Sequence, residues 1–107
     1  MADANLDAGG TTTEREREDI LKLGARLANS EDYRVVALDG RELGWLENVR
    51  YERHSDHPDE ILVRKRFLLW DRYAKVPFED VANVDPERER IYLSVRRDAL
   101  AWGGEPT

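Results

Sequence analysis

The chain of 107 residues contains no cysteine. It therefore has no disulfide framework, no thiolate nucleophile and no cysteine-ligated zinc, and the redox compartment stays open. Long apolar runs are also missing, because the longest strongly apolar run covers only residues 67–70. The opening residues, MADANLDAGG, have neither the basic nor the apolar region of a signal peptide. We therefore expect a soluble, cytoplasmic protein with no membrane insertion.

The chain also has no excess of positive charge. Its formal net charge is −6 at pH 7, from 17 Lys and Arg against 23 Asp and Glu. The acidic excess lies mainly in residues 1–32, since residues 33–107 carry 13 basic and 15 acidic side chains. This balance disfavours a protein whose main work is to grip phosphate backbones. Leu, Ile, Val and Phe nevertheless number 25, which is enough for a folded core.

The N-terminal third divides into a tail and a helix. Residues 1–12 are small and polar, and we expect them to form a flexible tail. In the segment 13–30, Thr13 and Glu16 have the spacing of a capping box, which predicts a helix over residues 14–28. Three apolar residues recur on one face of this helix: Ile20, Leu23 and Leu27.

From Tyr33 onward the apolar residues alternate as they do in strands. We predict six strands, over residues 33–38, 43–51, 61–67, 73–76, 82–84 and 90–95. The connections between consecutive strands are too short for parallel crossovers, so we expect antiparallel pairing. A sheet this small can enclose a core only if it curves around on itself. This predicts a mainly β, six-stranded antiparallel barrel over residues 33–96. A short helical turn and tail would complete the chain over residues 97–107.

Four motifs in this region together resemble the PRC-barrel family. They are DGRELGWLENV at 39–49, ILV at 61–63, VPFEDV at 76–81, and VD at 84–85 followed by IYL at 91–93. The resemblance covers residues 33–95 in order and spacing. The family includes the cytoplasmic domain of the photosynthetic reaction-centre H subunit and the second domain of a ribosome-maturation factor. The resemblance implies that this chain is a stand-alone, bacterial, non-enzymatic module that docks onto other proteins.

Strand alternation and the family pattern together predict the core. Its expected members are Val36, Leu38, Leu46, Val49, Leu62, Val76, Val81, Val84, Ile91 and Leu93. The buried face of the second strand stays open at this point. Plain alternation groups Leu43 and Trp45 on one face, whereas the family pattern turns Leu46 inward and needs a bulge near Gly44.

Residues typical of catalytic or metal sites are present without the context that such sites need. His54 and His57, with nearby carboxylates, could supply metal ligands, but a hairpin loop offers no scaffold for the geometry. The serines lack the context of an activated nucleophile, and no phosphate-binding loop occurs. We therefore predict no catalytic residues, no metal site, no cofactor and no enzymatic activity.

The remaining candidates are surfaces for macromolecules. We expect a protein–protein docking or adaptor module that forms a homodimer through the helix stripe and exposed aromatic surface. The predicted partner-binding residues are Ile20, Leu23, Leu27, Trp45, Leu68, Leu69 and Trp70. In a second interpretation the helix packs within its own chain. An alternative function is an RNA- or ribosome-associated assembly factor that uses the basic and aromatic residues of segment 64–75, with Arg64, Arg66, Trp70 and Arg72 as its contacts.

Overall fold

The amphipathic segment near the start of the chain forms a helix, α1, over Glu14–Ala28. The computed structural model describes residues 14–55 and 57–105, so the predicted tail and Thr13 of the capping box lie outside the described residues. At the C-terminal end of α1, the Asn29 side-chain amide donates to the Ala25 carbonyl at 3.1 Å, and the Ser30 hydroxyl donates to a carbonyl of the last turn. These bonds satisfy carbonyl groups that a helix end leaves unpaired. The predicted N-terminal helix is confirmed.

Six strands follow the helix, joined by short turns. They are β1 (Arg34–Val36), β2 (Glu42–Arg50), β3 (Glu60–Phe67), β4 (Trp70–Pro77), β5 (Val81–Asp85) and β6 (Arg90–Leu93). One 3₁₀ turn, Phe78–Asp80, connects β4 to β5, and another, Arg97–Ala99, follows β6. Pro77 has no N–H and ends β4 where the chain must turn. The mainly β class predicted from the alternating pattern is confirmed.

The pairing of the strands differs from the predicted antiparallel barrel. The spatial order is β4-β3-β2-β1-β6-β5, and β1 pairs with β6 in parallel, with Val35 opposite Ile91. Strands β4 and β5 form the two edges, so the sheet is not closed. The prediction of a closed, entirely antiparallel barrel is wrong. The short-connection argument constrains only consecutive strands, whereas four intervening strands bring the chain back from β1 to β6.

A bulge at Gly44 determines which residues of β2 are buried. Val35 faces Gly44 but Val36 faces Glu42, so Leu43 is the extra residue of the bulge. Leu43 and Leu46 are therefore both buried, as the family pattern requires and plain alternation does not. Gly44 has φ +156°, and a Cβ at this position would stand 2.1 Å from the Arg64 carbonyl oxygen. The close approach of β2 and β3 thus depends on a residue without a side chain.

The core lies between the helix and one face of the sheet. Its central cluster consists of Leu27, Val35, Ala37, Leu43, Leu46, Ile61, Val63, Val76, Phe78, Val81, Val84, Ile91 and Leu93. Leu38 was predicted to belong to the core, but 62% of it is exposed. Strand β1 ends at Val36 and a turn follows, in which the Gly40 N–H donates to the Ala37 carbonyl. Strand alternation therefore does not extend to Leu38. Among the described residues, no helix is long and apolar enough to cross a membrane.

Candidate functional site

The β3–β4 hairpin extends beyond the rest of the sheet. Pairing between β2 and β3 ends at Trp45 and Arg64, whereas β3 and β4 continue to pair as far as Phe67 and Trp70. We call residues 65–72 the hairpin arm. Strand β4 begins at Trp70, three residues before the predicted fourth strand, and leaves a turn of only two residues after β3. Side chains at its tip have no neighbouring strand to cover them.

The tip of the hairpin arm is apolar and exposed. Phe67 is 51% exposed, Leu68 72%, Leu69 83% and Trp70 65%. Single exposed apolar residues are ordinary on protein surfaces, but a contiguous group of large ones marks an interaction site. The arm therefore brings together three of the predicted partner-binding residues, Leu68, Leu69 and Trp70, and adds Phe67.

Leu68 adopts a backbone conformation that disfavours its side chain. Its φ is +59°, in the left-handed region, at the first of the two turn residues. Glycine is the usual residue at such a turn position, since any Cβ there costs about 1–2 kcal/mol. The leucine side chain contributes little burial in return, because most of it is exposed. The turn thus holds an apolar side chain in solvent at a cost in stability.

Two cations flank the apolar tip. The Arg72 guanidinium lies 5.9 Å from the centre of the Phe67 ring, and the Lys65 ammonium lies 4.3 Å from the centre of the Trp102 ring. Within residues 14–55 and 57–105, neither cation has a carboxylate partner at ion-pair distance. The C-terminal segment 102–104 runs beside the arm and forms a groove with it. This side of the arm is therefore aromatic and positively charged.

The other arginines of the basic segment are neutralised by carboxylates. Arg64 Nε donates to Glu47 at 2.8 Å, and Arg66 Nε donates to Asp71 at 2.8 Å. The hydrogen bond to Glu47 raises the pKa of the Arg64 guanidinium above its ordinary value, and the charge of Asp71 adds to the effect. Two of the four residues named for nucleic-acid binding are thus paired within the chain. Among the described residues, Arg72 has no carboxylate at ion-pair distance, and Trp70 carries no charge to pair.

Trp45 belongs to a separate cluster on the sheet. It is half-buried between the guanidinium groups of Arg34 and Arg64, whose central carbons lie 5.1 and 5.4 Å from the ring centre. The three residues are direct neighbours across β1, β2 and β3. Arg34 is held in turn by Glu42, at 2.9 Å. The Trp45 ring therefore serves contacts within the sheet, apart from the exposed tip.

The helix stripe packs within its own chain. Leu27 is completely buried in the core cluster, and Ile20 and Leu23 are half-buried against the same cluster. Leu27 is therefore not accessible to a partner in this structure. The predicted partner-binding set is divided among three places: the core, the Trp45 cluster and the hairpin arm.

The histidines lie in a loop ordered by one carboxylate. Asp59 accepts hydrogen bonds from the backbone N–H groups of Glu52 and Arg53 and lies 2.6 Å from His54 Nδ1. The bond from the Arg53 N–H, followed by those from Glu52 and His54, lowers the pKa of Asp59 from 3.8 to about 2 against the opposing effect of burial. The loop thus has a defined scaffold that the sequence did not indicate. Among the residues described, no group of three or more candidate ligands surrounds a metal position.

No protein-family model matches the chain, and no curated protein matches it. The site must therefore be interpreted from its own geometry.

Sequence reasoning missed Asp71 and Trp102 as neighbours of the tip. Asp71 was missed because the fourth strand was predicted to begin at residue 73. The aromatic residues Trp70 and Tyr73, which favour strands, are the signal that could have extended it. Trp102 reaches the arm through a long-range contact between Tyr73 and Gly103, for which no local signal exists.

Proposed function

We propose that this chain is a non-enzymatic protein-docking module of PRC type, and that the tip of the hairpin arm is its docking surface. The observation that carries the proposal is the combination of exposure and unfavourable backbone conformation at Leu68. Unfavourable conformations persist where a function requires the side chain. A solvent-exposed leucine that a glycine would replace with less strain fits a contact residue for another protein.

The chemistry around the tip supports a protein as the partner. Arginine and aromatic residues are enriched at protein interfaces, and the arm presents Phe67, Trp70 and Arg72 around two leucines. A rigid two-stranded arm also presents these groups at little cost in conformational entropy. The resemblance of segments 39–49 and 76–81 to the PRC-barrel family, whose members act as docking modules, supports the same function.

Site-specific photo-crosslinking in the source cells tests this proposal. A crosslinker at residue 69 should capture a defined protein, and the capture should be lost in Leu68→Gly and Trp70→Ser backgrounds, both at exposed positions of the tip. Leu68→Gly should leave the melting temperature unchanged or higher, because it relieves the unfavourable φ. This combination of retained stability and lost capture separates a docking role from a structural one.

A matched control comes from the helix, where Leu21→Ser changes a leucine that is 38% exposed and distant in sequence from the arm. It should leave the capture intact. Identical captured proteins in the wild type and in both arm variants would contradict the proposal, as would a crosslinker at residue 69 that captures nothing.

The RNA- or ribosome-associated alternative is less well supported. Glu47 and Asp71 neutralise Arg64 and Arg66, and the net charge of the chain is −6. Nucleic-acid binding through Lys65 and Arg72 would weaken steeply with salt, because each phosphate contact releases counterions. Titration of single-stranded RNA at two salt concentrations therefore distinguishes the alternatives, and tight, salt-sensitive binding lost in Arg72→Gln would favour the RNA function.

A further inference from the structure

Strand β4 has an outer edge that is mostly unpaired. Tyr73 and Gly103 exchange two backbone hydrogen bonds, of 2.7 and 2.8 Å, on the side of β4 away from β3. Backbone groups alternate in direction along a strand, so those of Asp71 and Lys75 also point away from β3. Within the described part of the chain, these groups have no backbone partner. Unpaired edges of this kind are templates for another strand.

The charges along this edge of one copy are complementary to those along the same edge of a second copy. In an antiparallel pairing of two copies centred on Tyr73, Asp71 of each copy stands opposite the partner's Lys75. Each such position is a hydrogen-bonded pair that exchanges two bonds, which gives roughly six across the two-fold axis. Oppositely charged residues directly across two strands stabilise the pairing. We propose that two copies of this chain associate through their β4 edges in this register.

The same register places the apolar tip against the second copy. Leu69 falls beside the partner's Pro77, which is itself exposed, and Trp70 falls opposite the partner's Val76, which its own chain already buries completely. Leu69 is 83% exposed and Trp70 65% exposed in the single chain, so both have surface to lose. Hydrogen bonds, ion pairs and apolar contacts can thus all form in the same register.

Lys75 and Pro77 resemble the residues that protect sheet edges from pairing. Lysine prevents association, however, only where it has no acidic group opposite. Centring the pair on Tyr73 gives each Lys75 an Asp71, whereas a pairing centred on Lys75 would place like charges together. Pro77 falls on the next outward-facing position, opposite Leu69 of the second copy, and because it has no N–H it ends the hydrogen-bonded pairing there.

The C-terminal segment competes with the second copy for Tyr73. Its Gly103 must leave the edge before Tyr73 can pair with the partner's Tyr73. A Cβ added at Gly103 or Gly104 would meet no atom within 4 Å, so apart from the two bonds to Tyr73 no close packing fixes these two residues on that side, whereas Trp102 packs against the core cluster. The two hydrogen bonds between Tyr73 and Gly103 are then replaced by hydrogen bonds to the second copy across the two-fold axis.

Sedimentation of the full chain over a concentration series, at low ionic strength, tests the proposal. The wild type should show a reversible monomer–dimer equilibrium. Lys75→Glu should weaken dimerisation by about tenfold or more, because it places like charges at both symmetric ends of the interface. Lys22→Glu makes the same change of charge on α1, where Lys22 is exposed, and should have no effect.

Two further variants address the register and the strand pairing. Adding Asp71→Asn to Lys75→Glu should recover part of the dimerisation, because it removes the like charge across the interface while an amide oxygen at this position can still accept the hydrogen bond from Arg66. Lys75→Pro removes an N–H that has no backbone partner among residues 14–55 and 57–105, so it should abolish dimerisation while the circular dichroism spectrum stays native.

Three results would overturn the proposal. The wild type could stay monomeric at a concentration about 100 times a micromolar Kd, Lys75→Glu could leave the dimer unaffected, or the double variant could dimerise no more tightly than Lys75→Glu. Both proposed interfaces use Leu69, so a crosslink from residue 69 to a second copy of this chain supports the dimer, whereas a crosslink to a different protein supports the docking function. Capture of another protein at residue 69 and dimerisation can each fail while the other succeeds.

Discussion

Replacing Gly44 by alanine tests the account of how β2 and β3 pack. The added Cβ would stand 2.1 Å from the Arg64 carbonyl oxygen, whereas ordinary contacts begin at 3.4 Å, so β3 would have to retreat by about 1.3 Å. The carbonyl belongs to the backbone and has no alternative rotamer. The φ of +156° adds strain for any residue with a side chain.

The expected loss combines two effects. A residue other than glycine in this backbone region costs about 1–3 kcal/mol, and overpacking against a fixed neighbour costs about 1–3 kcal/mol. The free energy of unfolding should therefore fall by about 2–6 kcal/mol, a large part of the stability of a small domain. Urea unfolding followed by tryptophan fluorescence and by circular dichroism measures this loss.

Two other glycines separate the two causes. Gly40 has φ +85° but open space around its Cβ position, so Gly40→Ala should cost about 1–2 kcal/mol from conformation alone. Gly104 has neither a positive φ nor a close neighbour, and Gly104→Ala should change stability by less than about 0.5 kcal/mol. A Gly44→Ala chain as stable as Gly104→Ala would refute the reasoning.

Three further predictions concern the core, the Trp45 cluster and the histidine loop. Leu27→Ala should reduce the free energy of unfolding by about 2–5 kcal/mol in urea titrations, because Leu27 is completely buried, whereas a loss under about 0.5 kcal/mol would argue against the packing of α1 on the sheet. Trp45→Ala should cost at least about 1 kcal/mol by the same method, since it removes the contacts to two guanidinium groups, and an unchanged stability would show that these contacts contribute nothing. Asp59 has a pKa of about 2 in the folded chain against 3.8 ordinarily, so its contribution to stability should be complete above about pH 4 and be lost as the pH falls towards 2. Urea unfolding at several pH values should show a smaller acid-induced loss in Asp59→Asn, and an identical loss would contradict this role.

The candidate site was only partly predictable. Leu68, Leu69 and Trp70 are three of the four residues in the longest apolar run of the sequence, and their exposure at a hairpin tip agrees with the interpretation as a contact surface. The division of the basic residues into paired and unpaired ones could not be foreseen. It depends on which carboxylate lies opposite which cation across neighbouring strands, as with Arg64 and Glu47.

Local signals determined the elements of this protein. The spacing of Ile20, Leu23 and Leu27 is enough to specify α1, because a helix is formed by contacts within a few residues. Gly44 likewise marks the bulge of β2, since a glycine inside a strand favours a close approach of backbones. The helix depends on neighbours along the chain, and Gly44 is visible in the sequence although Arg64, whose backbone approaches it, lies 20 residues away.

Tertiary structure decided how the elements combine. The parallel pairing of Val35 with Ile91 joins residues that are far apart in sequence, and no local pattern encodes their direction. The burial of Leu27 and the exposure of Leu38 also depend on which surface each residue meets after folding. Long-range pairing is chosen by the sum of many packing contacts, so the open, mixed sheet and its free β4 edge become visible only in three dimensions.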